Sequence, residues 1–200
     1  MLKMRKSCSV PFPEKLSPAY QIKENHILAN IDADKLEEIL THFITMHDEP
    51  LFFILEIPTN NNEEPQNEQG ITEKLHNDVY YIDGCDQNKA LAVLREVGDL
   101  VINDGLCNFG FGCHISGDEI MVGAYNVVTV FTGEPAPYHV FFAEHGIPET
   151  DALVTAWDTF SKEHPGMSGS YSVDGKSIYD IPEILRDKGI YFAERREQFN

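Results

Sequence analysis

Lysine and arginine are missing from the middle of this 200-residue chain. Residues 96–161 hold ten carboxylates and neither of these cations, although the segment is well patterned for strands and helices. A site for phosphate, nucleotide or nucleic acid needs fixed cations or a glycine-rich turn feeding a helix N-terminus. The segment has neither, so no nucleic-acid partner is expected.

Other absences narrow the field further. No stretch reaches the roughly 18 consecutive apolar residues of a membrane span, and no membrane partner is expected. The basic start, Met1 to Lys6, runs into prolines and polar residues where a secretory signal needs an apolar run. The expectation is a cytoplasmic chain. There are four cysteines, Cys8, Cys85, Cys107 and Cys113, with no CxxC pair. On one extended strand Cys107 and Cys113 would stand roughly 20 Å apart, so reduced thiols serving as small core residues are expected.

Motifs with chemistry are scarce too. Gly84-Cys85-Asp86 occupies the strand-to-helix turn where a dinucleotide site has GxGxxG. Gly166-Met167-Ser168-Gly169-Ser170 resembles a nucleophile elbow but lacks its closing glycine. His42 and His47 are five apart and His139 and His145 six, where a two-histidine helical zinc site needs a spacing of four. No cofactor, no metal and no catalytic set is expected.

What is present is negative charge. The chain carries 33 acidic against 15 basic side chains, a formal −18, and eleven carboxylates between Asp32 and Glu73 meet only Lys35. Such a field keeps a protein soluble and speeds its encounter with a basic partner.

The length suits one domain, expected over residues 26–200 after an extended N-terminal arm, residues 1–25, that holds Pro11, Pro13 and Pro18. Leu36, Ile39, Leu40, Phe43, Ile44 and His47 predict a helix that Pro50 ends. Residues 51–57 and 79–82 read as strands, and residues 59–72 as a polar loop. Ala90, Leu91, Leu94, Val97 and Val101 predict a second helix, stopped at Asn103-Asp104-Gly105. Pro137 and Gly146 bracket a third. Thr150 should cap another, with Leu153, Val154, Trp157 and Phe160 inward, and residues 181–196 read as a final helical stretch interrupted at Gly189.

Residues 106–132 contain the best hairpin, around a two-residue Ser116-Gly117 turn. That turn pairs His114 with Glu119, Gly112 with Met121, Gly110 with Gly123 and Asn108 with Tyr125. Cys107, Phe109, Phe111, Cys113, Ile120 and Val122 then form a core face. Asn108, Gly110, Gly112, His114, Glu119 and Tyr125 share the other face, where the glycines would leave a trench for a ligand or partner.

The fold expected is α+β, a single domain with a mainly antiparallel twisted sheet packed by amphipathic helices. In general character the chain resembles small bacterial immunity and antitoxin-like proteins, with no motif that transfers a functional residue. The function expected is a non-catalytic acidic interaction protein that neutralises a basic protein partner. The alternative is a small-molecule hydrolase or ligand-binding enzyme using the groove around His114 and Glu119.

Overall fold

Leu36, Ile39, Leu40, Phe43 and Ile44 recur at helical spacing, and all five are wholly buried. They face a sheet whose strands alternate in the same sense: Leu51, Phe53, Leu55 and Ile57 point inward, as do Phe109, Phe111 and Cys113. This matching of period 3.6 to period 2 across one apolar layer makes the fold α+β. A computed structural model describes residues 1–69 and 72–198.

In chain order the elements are β1 (Cys8–Ser9), β2 (Ala19–Ile22), β3 (His26–Asn30), α1 (Leu36–Met46), β4 (Leu51–Pro58), β5 (His76–Cys85) and α2 (Gln87–Asn103). There follow β6 (Asn108–Cys113), β7 (Glu119–Val122), β8 (Val127–Phe131), α3 (Ala136–Glu144), β9 (Met167–Ser168), α4 (Ile181–Ile184) and β10 (Tyr191–Glu197). Eight strands form one antiparallel sheet in the order β10-β5-β4-β6-β7-β8-β3-β2, and β1 pairs with β9 as a separate ribbon. All four α-helices bury their apolar side chains in the same cluster, on one face of the large sheet.

Capping is local where the sequence signals it. Asp86 accepts the backbone N–H of Lys89 at 2.7 Å and starts α2, and Gly146, with φ +67°, closes α3.

Residues 1–25 do not trail as an arm. β2 is an edge strand of the sheet, and Leu2, Cys8 and Leu16 pack with Tyr125 and Ala156 in a second cluster. Arg5 anchors it. Only 1% exposed, it donates to the backbone oxygens of Asp104 (2.9 Å) and Gly123 (2.6 Å). Prolines set the path of this segment, but its long-range partners hold it in place.

One predicted helix is absent, and another forms only in its first half, at Ile181–Ile184 and a following 3-10 turn. After Thr150 the backbone bends and forms no helix because side chains of the sheet take its polar groups: Gln21 accepts from Leu153 N, and Asn30 donates to Val154 O at 2.8 Å. Only a single 3-10 turn, Ala156–Thr159, forms, under a capping box of Thr155 and Asp158. Trp157 and Val154 are exposed rather than inward. At the C-terminus Gly189, with φ +82°, breaks the helix and Tyr191–Glu197 becomes an edge strand. It is held by Phe192 against Tyr80, Tyr191 against Tyr81, and a bidentate pair from Arg195 to Asp78 at 2.6 and 3.0 Å.

The loop after β4 is partly tied down. Glu64 is 7% exposed and accepts from the His76 backbone N–H at 2.9 Å, its other oxygen lying 2.7 Å from His76 Nδ1. The predicted strand-helix-strand order is kept, with β4 inserted antiparallel between β5 and β6.

Candidate functional site

Because the described α-helices all pack on one side, the other side of the sheet has no α-helical cover among the described residues. Register places Tyr191, Tyr81, Ile54, Gly110, Met121 and Thr129 in one row across it. The adjoining row runs Phe52, Gly112, Glu119, Phe131, His26. Val79, Glu56 and Asn108 form a third row. Phe52, Ile54 and Val79 make a small cluster against Tyr81 and Met121. Tyr191 and Phe131 stand well exposed.

The hairpin register differs from the predicted one by two residues. Phe111 pairs with Ile120 and Gly112 with Glu119. The turn is longer, with Cys113 N donating to Asp118 O at 2.8 Å and Gly117 N to Cys113 O at 3.0 Å, at a φ of +78° for Gly117. Two side chains hold it open: Glu49 accepts from Ser116 N, and Ser116 Oγ from Asp118 N, each at 3.2 Å. A shift of two keeps every side chain on its face. The core residues are therefore where alternation put them, and the partners are not.

Asn108, Gly110, Gly112, His114 and Glu119 share the open face, but the trench expected between them is filled. A Cβ on Gly112 would lie 2.3 Å from Cζ of Phe52, whose ring occupies that space and stacks on His114 at 4.6 Å. A Cβ on Gly110 would meet the backbone oxygen of Ile120 at 1.9 Å, so this glycine admits a close strand. His114 pairs with Asp83 (3.2 Å), not with Glu119, and Gly123 does not oppose Gly110. Tyr125 leaves the face altogether. At φ 55° it sits in a left-handed turn between β7 and β8, edge-on to Trp157 and Phe160. The continuous strand expected over residues 119–132 breaks there, and Asn126, also left-handed, pins the break by donating to Lys3 O and Ile31 O.

The electrostatics of the face are one-sided. Strand positions put Glu56, Asp83, Glu119 and Glu194 on it against one arginine, Arg196, which binds Glu56 at 3.0 Å and Glu194 at 2.6 Å. Glu119 has no such partner among the described residues. Burial, and then the charge of Glu56, raise its carboxyl above the ordinary range, and Arg196 only partly offsets this. Asp83 is held below that range, first by the Tyr191 hydroxyl that donates to it at 2.6 Å and then by His114. A groove of about 590 Å³, lined by Glu56, Asn77, Asn108, Trp157 and Arg196, runs along the lower edge.

The sequence places none of Glu56, Phe52, Tyr191 and Arg196 in a site, and offers Asp83 only as a helix cap, a role that Asp86 takes alone. One signal was legible: Glu56 is the only charge in the run of residues 51–57, and a lone charge at an alternating position marks a face that meets water. The others come from strands whose pairing no local pattern encodes.

Among the described residues no helix is long and apolar enough to cross a membrane. Compared with known proteins, the chain matches no family model, no curated protein and no solved structure. Fold and site define an α+β domain whose sheet is covered by helices on one side and left acidic and aromatic on the other.

Proposed function

We propose that this protein is a non-catalytic acidic binding protein of the immunity or antitoxin kind, which neutralises a basic protein partner by docking it on the open sheet face. The observation that carries this reading is the company Glu119 keeps. A half-buried carboxylate that also feels the charge of Glu56, on a face with four carboxylates and one arginine, is electrostatically unfavourable in the free protein. A cation from a partner would relieve it. Across the same face lie Tyr81, Tyr191, Phe131 and Met121, side chains of the type that anchor interfaces, while the carboxylates steer the approach. The formal charge of −18 supports the same polarity of partner, and four buried, unpaired thiols suit work in a reducing compartment such as the cytoplasm.

The test is affinity capture on immobilised wild type and on a Glu56→Gln/Glu119→Gln double variant, with bound proteins identified by mass spectrometry. A basic protein held by the wild type and lost from the variant is the expected result. Equal retention by both, or retention of acidic proteins only, would count against the docking face.

A further inference from the structure

Away from the open face, four polar side chains from separate parts of the chain converge at one end of the core. His47 follows the last turn of α1, and Glu49 lies two residues beyond it. Cys113 ends β6, and Asp118 begins the return into β7. One donor atom each from His47, Glu49 and Cys113 lie within 4.8 Å of one another, and Asp118 Oδ2 is 3.1 Å from His47 Nε2.

The histidine is oriented as a ligand would be. Its Nδ1 lies 2.8 Å from the carbonyl oxygen of Phe43, which can only accept, so Nδ1 carries the proton. Nε2 then presents its lone pair to a carboxylate that also needs a donor, and these two groups require a cation on or between them. The neighbourhood supplies little. Cys113, Asp118 and Tyr138 all lie in the stretch without lysine or arginine, and the one ion pair of Asp118 among the described residues is with His47.

A second observation is independent of the cluster. The hydroxyl of Tyr138 is fully buried, has no hydrogen-bond partner among the described residues, and is close enough to Asp118 and Cys113 to feel both. An orphaned buried hydroxyl requires an explanation. A ligand atom brought into line by an ion at the centre of this cluster would give it one.

We infer that His47 Nε2, Cys113 Sγ and the carboxylates of Glu49 and Asp118 form a site for one divalent transition ion of the zinc type, with the Tyr138 hydroxyl donating to a ligand from outside. The nitrogen, sulfur and oxygen set selects a borderline-soft ion over calcium or magnesium. Four protein ligands close the shell, so the ion acts as a clip between the end of α1 and the β6–β7 turn, not as a catalyst. Bonds of about 2.0–2.3 Å set ligand separations of roughly 3.3–3.8 Å, so His47, Glu49 and Cys113 draw together by about an ångström as the ion binds, and Asp118, which lies outside their 4.8 Å group, swings in further from its place against His47. The Cys113 thiol releases its proton to solvent in the same step, and the proton that His47 Nε2 and Asp118 share in the metal-free protein leaves with it. The anchoring of Nδ1 on Phe43 and the hydroxyl of Tyr138 are the outer supports such a site needs.

The test is titration of untagged, chelator-treated protein with cobalt(II) chloride, followed by zinc chloride. We expect saturation at one equivalent, the intense visible bands of a tetrahedral ion, a thiolate-to-cobalt charge-transfer band, and displacement of both by zinc. Cys113→Ser should abolish the charge-transfer band. Asp118→Asn, which preserves shape if the serine variant fails to fold, should weaken binding at least about tenfold. Tyr138→Phe deletes a hydroxyl that bonds to nothing in the free protein. It should leave the metal-free stability unchanged and cost about tenfold in affinity. Absence of the charge-transfer band in folded wild type, its persistence in Cys113→Ser, or indifference of affinity to both Asp118→Asn and Tyr138→Phe would overturn the assignment.

Discussion

Gly112→Val is the sharpest probe of the sheet face. The added Cβ would sit 2.3, 2.7 and 3.0 Å from Cζ, Cε1 and Cε2 of Phe52, so the ring must swing away. Phe52 is 7% exposed, covered by strand neighbours, and stacked on His114. Expelling a buried phenylalanine forfeits most of the ~1.5–3 kcal/mol its burial contributes. Replacing glycine by valine in a strand returns up to ~1 kcal/mol. The net cost should be about 1–2 kcal/mol, read as a lower urea midpoint at unchanged slope. In a Phe52→Ala background the clash is gone and only the strand preference remains, so the same substitution should be neutral or stabilising there. A cost that is equal in both backgrounds would mean that Phe52 does not fill the glycine space, and the trench would be open after all.

Glu119→Gln has a pH signature. Burial and Glu56 raise this carboxyl in the folded state, so its contribution is fully favourable below the unfolded pKa of about 4 and falls as pH rises through the folded value. The variant should therefore raise the urea midpoint at neutral pH and leave it unchanged near pH 4; a loss at neutral pH would contradict the unfavourable burial of the Glu119 charge. Arg5→Lys should destabilise by ~2 kcal/mol or more in thermal melts, because one ammonium cannot reach both backbone oxygens that the guanidinium spans. Wild-type stability in that variant would show that Arg5 does not anchor the second cluster. Cys107, wholly buried and with its thiol pushed up to about 12 by burial, should react with a thiol reagent only as fast as the protein opens; rapid native labelling would place that face outside.

Much of the core was legible because it rests on periodicity. The apolar positions of α1 and α2 and the alternation of residues 107–113 and 120–122 are local facts, and the inward faces follow from them. Pairing is not local. Ser116-Gly117 reads as a two-residue turn until Glu49, sixty-seven positions away from Ser116, takes its N–H and lengthens the loop. Gln21 and Asn30 likewise keep residues 151–154 out of a helix where their own sequence favours one. The glycines of β6 need a reason on sequence grounds alone. The reason, a phenylalanine from β4 and a close backbone from β7, belongs to other strands. His47, Glu49, Cys113 and Asp118 escape any spacing rule because three segments supply them.

The central claim is that the acidic open face receives a basic partner, and the association rate as a function of salt tests it most directly. With the captured partner, wild type should associate steeply more slowly as ionic strength rises from low values to about 0.15 M, while Glu56→Gln/Glu119→Gln should show a shallower dependence from a lower starting rate. A wild-type rate indifferent to salt, or one matched at every ionic strength by the double variant, would contradict it.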